Sequence, residues 1–260
     1  GEKLLFVELG LSADTNFADL ISQNHNYAFL SSSDAHSPWP NRMGREFNRI
    51  KMEKPDFKSL KIALAEREEK MVTLNAGLDP REGKYHCTAC NSCFAKYAIT
   101  QAEALKWKCI KCQGQIKRGV RDRIEMLADT KTGAHPKFRP TYMHLLPLAE
   151  IIQCATGAKG VNTITVQSKW RDFVDKFGSE IKVLVDAKEE ELREADGVAG
   201  EYIIAFRKGL VHYIPGGGGD YGKPIVCLSE EEFAKKGIEL KKELACGSEA
   251  SDQKTLGQFK

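Results

Sequence analysis

No apolar run in this sequence approaches the eighteen or more residues that a membrane-crossing helix needs, so a helical membrane protein is excluded. Also missing is a charged start followed by an apolar core and a small-residue cleavage site, so nothing indicates secretion and a cytoplasmic location is expected. Neither sign of charge dominates. A net +3 over 260 residues says little by itself, and no internal repeat is present to suggest a solenoid or propeller. With 42% hydrophobic and 29% charged residues, the composition is that of a soluble globular chain long enough for one large or two to three small domains. Cysteine is the exception to this ordinary picture. Five of the eight fall between Cys87 and Cys112, and such crowding in a chain without a secretory start points to metal rather than to disulfides.

The first seventy residues alternate strand and helix. "LLFVELG" reads as a strand with no turn or cap before it, as though the sequence begins inside a domain. "TNFADLISQNH" reads as a helix, "YAFLSSSDAH" as a second strand, and "DFKSLKIALAEREEK" as a helix capped by Asp56. Two successive β-α units predict parallel strands with helices outside, in a barrel or an open sheet, where chemistry gathers at the carboxyl ends of the strands. Turn formers in "NAGLDPREGKYH", residues 75 to 86, suggest a boundary. Beyond the cysteines the pattern turns helical. "GVRDRIEMLAD", "MHLLPLAEIIQCATG" and "TVQSKWRDFVDKFG" each close on a glycine or turn, with Gly157 a candidate helix C-cap. "EIKVLVD" predicts a strand, "KEEELREADGVAGEYIIAFRKG" a helix or helix pair, and Ser229 with Glu232 a capping box before a charged tail whose last dozen residues are expected to be disordered. His144, beside apolar positions, reads as a core histidine.

Three stretches carry candidate chemistry. The strand alternation places Asp34 and His36 on one face, about 6.5 Å apart, followed by the long polar loop "SPWPNRMGREFNR". A carboxylate beside an imidazole suits Zn2+ or Mn2+, although Asp-x-His alone is usually a surface pair. Glu8, at the end of its strand, is a further candidate ligand, while Asp14 and His25 fit the pattern less well. In "CTACNSCFAKYAITQAEALKWKCIKC" two pairings have the spacing of a four-thiolate zinc site. Cys90 and Cys93 leave fifteen residues before Cys109, and Cys87 and Cys90 leave eighteen. Lys117, Arg118, Arg121 and Arg123 make a basic stretch next to this unit, with Trp107 and Phe94 within it. Such a surface suits a nucleic-acid backbone, a domain interface or plain solvation. Finally, "GGGDYGKP" nearly matches a phosphate loop, but Pro224 stands where a magnesium-holding Ser or Thr is required, which excludes an ATPase. Gly217 and Gly218 could instead let backbone approach a DNA strand, or form a bare flexible turn.

"ELGLSAD", "SSDAHSPWPNRMGRE" and the cysteine unit, in that order, resemble the carboxyl-terminal part of the endonuclease Q family, and the likeness extends through "AFRKGLVHYIPGGGGDYG". The resemblance implies an α/β fold with an α-rich extension. Residues 1–75 would be the end of a polymerase and histidinol phosphatase (PHP) type β/α barrel, 76–120 a four-cysteine zinc module, 121–228 a helical DNA-binding domain and 229–260 a charged tail. It further implies a metal-dependent DNA endonuclease that cuts 5′ to deaminated bases (uracil, hypoxanthine, xanthine) or abasic sites, with DNA replication or repair proteins as further partners. Asp34 and His36 would match the family's last catalytic metal motif, holding Zn2+, Mn2+ or Mg2+, with the remaining ligands upstream of Gly1. Cys90, Cys93, Cys109 and Cys112 would hold a structural Zn2+ and leave Cys87 spare. Arg45 and Glu46 would contact phosphate and a neighbouring ligand. A PHP phosphoesterase acting on small monoesters would explain Asp34 and His36 but not the cysteines, whereas a non-catalytic zinc-ribbon binder would leave the β/α portion idle.

Overall fold

The computed structural model describes residues 4–36, 39, 44–66, 71–130, 135–140 and 142–252, with side chains through Lys241. The fold is mixed α/β. Strands β1 (Phe6–Leu9) and β2 (Ala28–Ser31) pair in parallel, as the two β-α units predict. Between them the expected single helix is split. Asp14 caps a one-turn helix α1 (Thr15–Ala18) through a bond from the Phe17 amide, and a 3-10 turn follows at Ser22–Asn26.

A second sheet has the order β3 (Phe47–Ile50), β4 (Val72–Gly77), β7 (Tyr142–His144). β3 runs antiparallel to β4, so the alternation is not wholly parallel, while β4 and β7 are parallel. Helix α2 (Phe57–Ala65) starts at Asp56, whose carboxylate accepts the Ser59 amide as the sequence predicts. Two asparagines join the sheets. Asn48 receives the Ser31 amide and donates to the Ser31 carbonyl, each at 2.8 Å, which copies a backbone ladder pair with a side chain. Fully buried Asn75 donates to the Phe29 carbonyl and to Asn48. Residues 75–86 hold the end of β4, a 3-10 turn at Pro80–Glu82 and several buried side chains.

The cysteine unit contains β5 (Ala89–Cys90), α3 (Ile99–Ala104) and β6 (Ile116–Lys117), with β5 and β6 antiparallel. After it come α4 (Val120–Leu127), β7, α5 (Leu148–Thr156), α6 (Ile164–Phe177), α7 (Glu189–Ala195), α8 (Gly197–Arg207), the hairpin β8 (Val211–Ile214) and β9 (Lys223–Val226), and α9 (Glu230–Asp252). Gly157 and Gly178 end α5 and α6 in the left-handed conformation that glycine adopts without steric cost. The principal core lies among α5, α6 and α8, where Ile151, Ile152, Phe173 and Ile203 are all but sealed from water. Truncating any of the isoleucines to alanine should cost about 2–5 kcal/mol.

"EIKVLVD" is not a strand: Lys182–Asp186 is a π-helical turn. A short apolar run is ambiguous in period, and here Val183 and Leu184 are buried in the helical core while Arg207 donates to the carbonyls of Val183, Leu184 and Ala187. Those carbonyls therefore need no neighbouring strand. At the start of α9 Ser229 caps as expected, its Oγ accepting the Glu232 amide, while the Glu232 carboxylate accepts the amide of Leu228, one residue before the cap, and not that of Ser229 as a full capping box would have it. The disorder expected at the carboxyl terminus falls mainly outside the described residues, as does most of the loop after His36.

Candidate metal and nucleic-acid sites

β2 ends at Ser31, so Asp34 and His36 lie in the loop beyond it and not on a continuing strand. Their expected face-sharing by alternation is therefore corrected. Asp34 adopts a left-handed backbone (φ 47°), and this turn brings its Oδ1 to 3.4 Å from Nε2 of His36. Both side chains are open to solvent, 70% and 88% exposed, so a carboxylate and an imidazole face each other at a spacing one divalent ion could bridge. Glu8 is exposed on the face of β1 opposite buried Leu9 and, among the described residues, joins no cluster of three metal-ligating groups.

Behind this loop Arg45 is turned inward instead of toward an incoming phosphate. Its Nη2 donates to the Ser33 carbonyl and its Nε to Glu46, each at 3.0 Å. Burial raises the Glu46 carboxyl to about 7, with the Asp34 charge pushing the same way and Arg45 opposing. Glu46 Oε1 is buried without a hydrogen-bond partner among the described residues. Nearby, Asp14 Oδ2 meets Nε2 of His144 at 2.8 Å. His144 is thus no sealed core residue, since a third of its side chain is exposed. The sequence separation of 130 between these partners explains why sequence spacing does not connect them.

Of the five clustered cysteines, Cys90, Cys93, Cys109 and Cys112 converge, with all four sulfurs within 4.8 Å of one another. Cys90 to Cys112 and Cys93 to Cys109 are each 3.5 Å apart, near the edge of about 3.8 Å for a tetrahedron with 2.3 Å zinc–sulfur bonds. Each CxxC turn aims an amide at a sulfur, Ser92 at Cys90 and Lys111 at Cys109. Burial would raise the Cys109 thiol, yet the Tyr97 hydroxyl at 3.0 Å and backbone amides outweigh it and hold it at about 6. This four-sulfur group could hold a metal ion such as zinc. Cys87 lies outside it, buried, with its amide bonded to the Gly216 carbonyl.

The basic stretch divides by partner. Arg118 lies over the Trp107 ring at 4.9 Å, and Arg121 is held by Asp122 and Glu125. Lys117 and Arg123 are exposed and line a groove of about 640 Å³ with Trp107, Arg118, Ile116 and Ile124. Gly217 and Gly218 face inward. Both are buried against the cysteine unit, where a Cβ on Gly218 would lie 2.2 Å from the Cys90 carbonyl and one on Gly217 2.9 Å from that of Cys87. The close backbone approach that the glycines permit is to the protein itself.

The family described as the MJ0043 C-terminal domain matches residues 147–210. The chain is 48% identical over 240 residues to the uncharacterised protein MJ0043 of Methanocaldococcus jannaschii, an alignment covering 90% of this chain and 30% of that protein. With the uncharacterised protein YqxK of Bacillus subtilis it shares 37% identity over 219 residues, covering 84% and 51%. Among solved structures, the lesion-specific endonuclease PfuEndoQ of Pyrococcus furiosus superposes with a TM-score of 0.78 at 47% identity, over 86% of this chain and 55% of that one. Endonuclease Q in complex with a 27-mer duplex carrying an abasic lesion at the active site gives a TM-score of 0.81 at 46% identity, over 89% and 57%. The chain spans about half, or less, of the length of the curated relatives it matches. Over most of its length, then, the chain is similar to the solved endonuclease Q structures, as its sequence motifs suggest.

Proposed function

We propose that this chain is part of a metal-dependent DNA repair endonuclease that hydrolyses the phosphodiester 5′ to a deaminated base (uracil, hypoxanthine or xanthine) or an abasic site. The observation that carries the reading is its 46% identity, over 89% of its length, to an endonuclease Q whose complex holds an abasic duplex. In this reading residues 1–75 are the end of a PHP-type barrel, 76–120 a zinc module, 121–228 a helical DNA-binding domain and 229–260 a charged tail.

Two ion sites belong to the proposal, and the donors present fit both. Cys90, Cys93, Cys109 and Cys112 match the soft tetrahedral set that zinc takes in closed structural sites. The Asp34 oxygen and His36 nitrogen, exposed and 3.4 Å apart, match one edge of a divalent ion's shell. A divalent ion there supplies Lewis-acid activation of water and neutralisation of phosphate charge. The protein's own residues do the rest. Arg45, anchored by Glu46, holds the Ser33 carbonyl and so sets the loop that carries Asp34. Lys117 and Arg123 offer exposed cations to the duplex backbone.

The test is an assay of the full-length gene product on duplexes containing an abasic site, uracil, hypoxanthine or xanthine, beside an unmodified duplex and a chromogenic phosphomonoester. Incision 5′ to the lesions alone is expected. Turnover of the monoester in place of DNA would replace the reading with a small-molecule phosphoesterase, and lesion binding without incision would replace it with a binding protein.

A further inference from the structure

The loop carrying Asp34 and His36 is one of several that meet at a single end of the sheets. Ser31, the last residue of β2, lies beside the Tyr142 hydroxyl. That hydroxyl and the Glu46 side chain both pack against the α-carbon of Gly77 at the end of β4, where an added Cβ would sit 2.1 Å from the hydroxyl. Glu46 in turn feels the charge of Asp34. Two residues after Tyr142 on the same face of β7 comes His144, with the two ring centroids 5.3 Å apart. The carboxyl ends of β2, β4 and β7 and the connection after β1 therefore share one rim, and His144 is on it.

How His144 is held points to chemistry more than to packing. Asp14 is buried and both its oxygens are engaged, Oδ1 by the Phe17 amide at 2.9 Å and Oδ2 by His144 Nε2 at 2.8 Å. A carboxylate so fixed accepts the Nε2 proton and sets the ring's orientation, and Nδ1, which has no hydrogen-bond partner among the described residues, is the edge that can exchange a proton. If the pair served only to tie β7 to the connection after β1, sealing the imidazole would strengthen the tie. Instead the acid is hidden and the imidazole is one-third exposed. Among the described residues the other titratable groups facing His144 are Asp79, after β4 and itself paired with Arg81, and the neutral phenol Tyr142 on its own strand.

We infer that His144, oriented by Asp14, is the general acid that protonates the departing oxygen during phosphodiester cleavage at this rim; the inference rests on the endonuclease reading above. In that step a water oxygen forms the new bond to phosphorus. The bond from phosphorus to the departing oxygen breaks, its electron pair goes to that oxygen, and the Nδ1 proton of the imidazolium passes to it. The proton lost by water goes to solvent, from which His144 is reprotonated. Asp14 is the positioning residue.

The test uses the full-length protein and two abasic duplexes, one ordinary and one with sulfur in the bridging position of the departing oxygen. A thiolate leaves without a proton, so an enzyme lacking its general acid still expels it. His144→Gln should cut the ordinary duplex about 100-fold or more slowly and the sulfur duplex at close to the wild-type rate, with abasic-duplex affinity retained. Asp14→Asn, which keeps the imidazole but removes its carboxylate, should show the same split to a smaller degree. Equal losses on both duplexes in variants that still bind DNA, or no loss on either, would overturn the assignment. A wild-type protein that incises neither duplex removes the endonuclease reading itself, which distinguishes that failure from this one.

Discussion

Tyr97 points its hydroxyl at the sulfur of Cys109 from 3.0 Å, inside a cluster of four thiols two pairs of which are 3.5 Å apart. The contact favours thiolate at Cys109, the form that binds metal. Purified protein should therefore carry about one tightly held zinc, because a four-thiolate shell is closed and independent of the rim. Elemental analysis should find that zinc retained in Asp34→Ala and lost in Cys109→Ser. Loss in Asp34→Ala with retention in Cys109→Ser would show that the tightly bound metal is at the rim.

Glu46 gives the rim a pH dependence of definite sign. Its folded carboxyl titrates at about 7 instead of 4.5, so the folded state holds this proton more tightly than the unfolded chain does. The associated stability is complete below about pH 4.5 and is lost as pH rises through about 7. Denaturant titrations of wild type and Glu46→Gln across this window should diverge by up to about 3 kcal/mol, with the wild type falling and the variant lacking that decline. Parallel curves would mean that Glu46 is ionised throughout.

Gly218 separates a packing role from a DNA-binding one. Its φ of 69° and the 2.2 Å approach of a Cβ to the Cys90 carbonyl make Gly218→Ala a backbone clash against the cysteine unit. Thermal unfolding should show destabilisation of about 1–3 kcal/mol. Unchanged stability with weakened DNA binding would return the glycine loop to the nucleic-acid surface.

Lys117 and Arg123 are the exposed cations of the groove beside Trp107. Replacing either with alanine should weaken duplex binding to a similar extent on all sequences and lower the slope of log affinity against log salt by about 1 each. Arg121→Ala, whose guanidinium is already held by Asp122, should change the slope less. Equal slopes in all three variants and wild type would place the duplex elsewhere.

What was legible in the sequence was what a few neighbouring residues decide. Asp56 before α2, Gly157 and Gly178 after α5 and α6, and Ser229 with Glu232 before α9 act through bonds or dihedral angles within one turn. Strand β3 and most of β4 went unread because their bonds are made to segments distant in the chain, and the Val-Leu-Val run of 183–185 went to the wrong period because its partners, α8 and Arg207, lie some twenty residues on.

The sequence by itself pointed to a four-thiolate unit, since two CxxC turns at such a spacing each chelate locally, and its spacing left open whether Cys87 or Cys93 stands aside. Only the tertiary structure decided that it is Cys87, that the glycine loop packs on the protein's own backbone, and that Asp14 reaches His144 across 130 residues. The physical reason is range. Caps, turns and paired thiols are settled by stereochemistry within a few bonds, whereas a shared rim exists only after strands far apart in the chain have found their register.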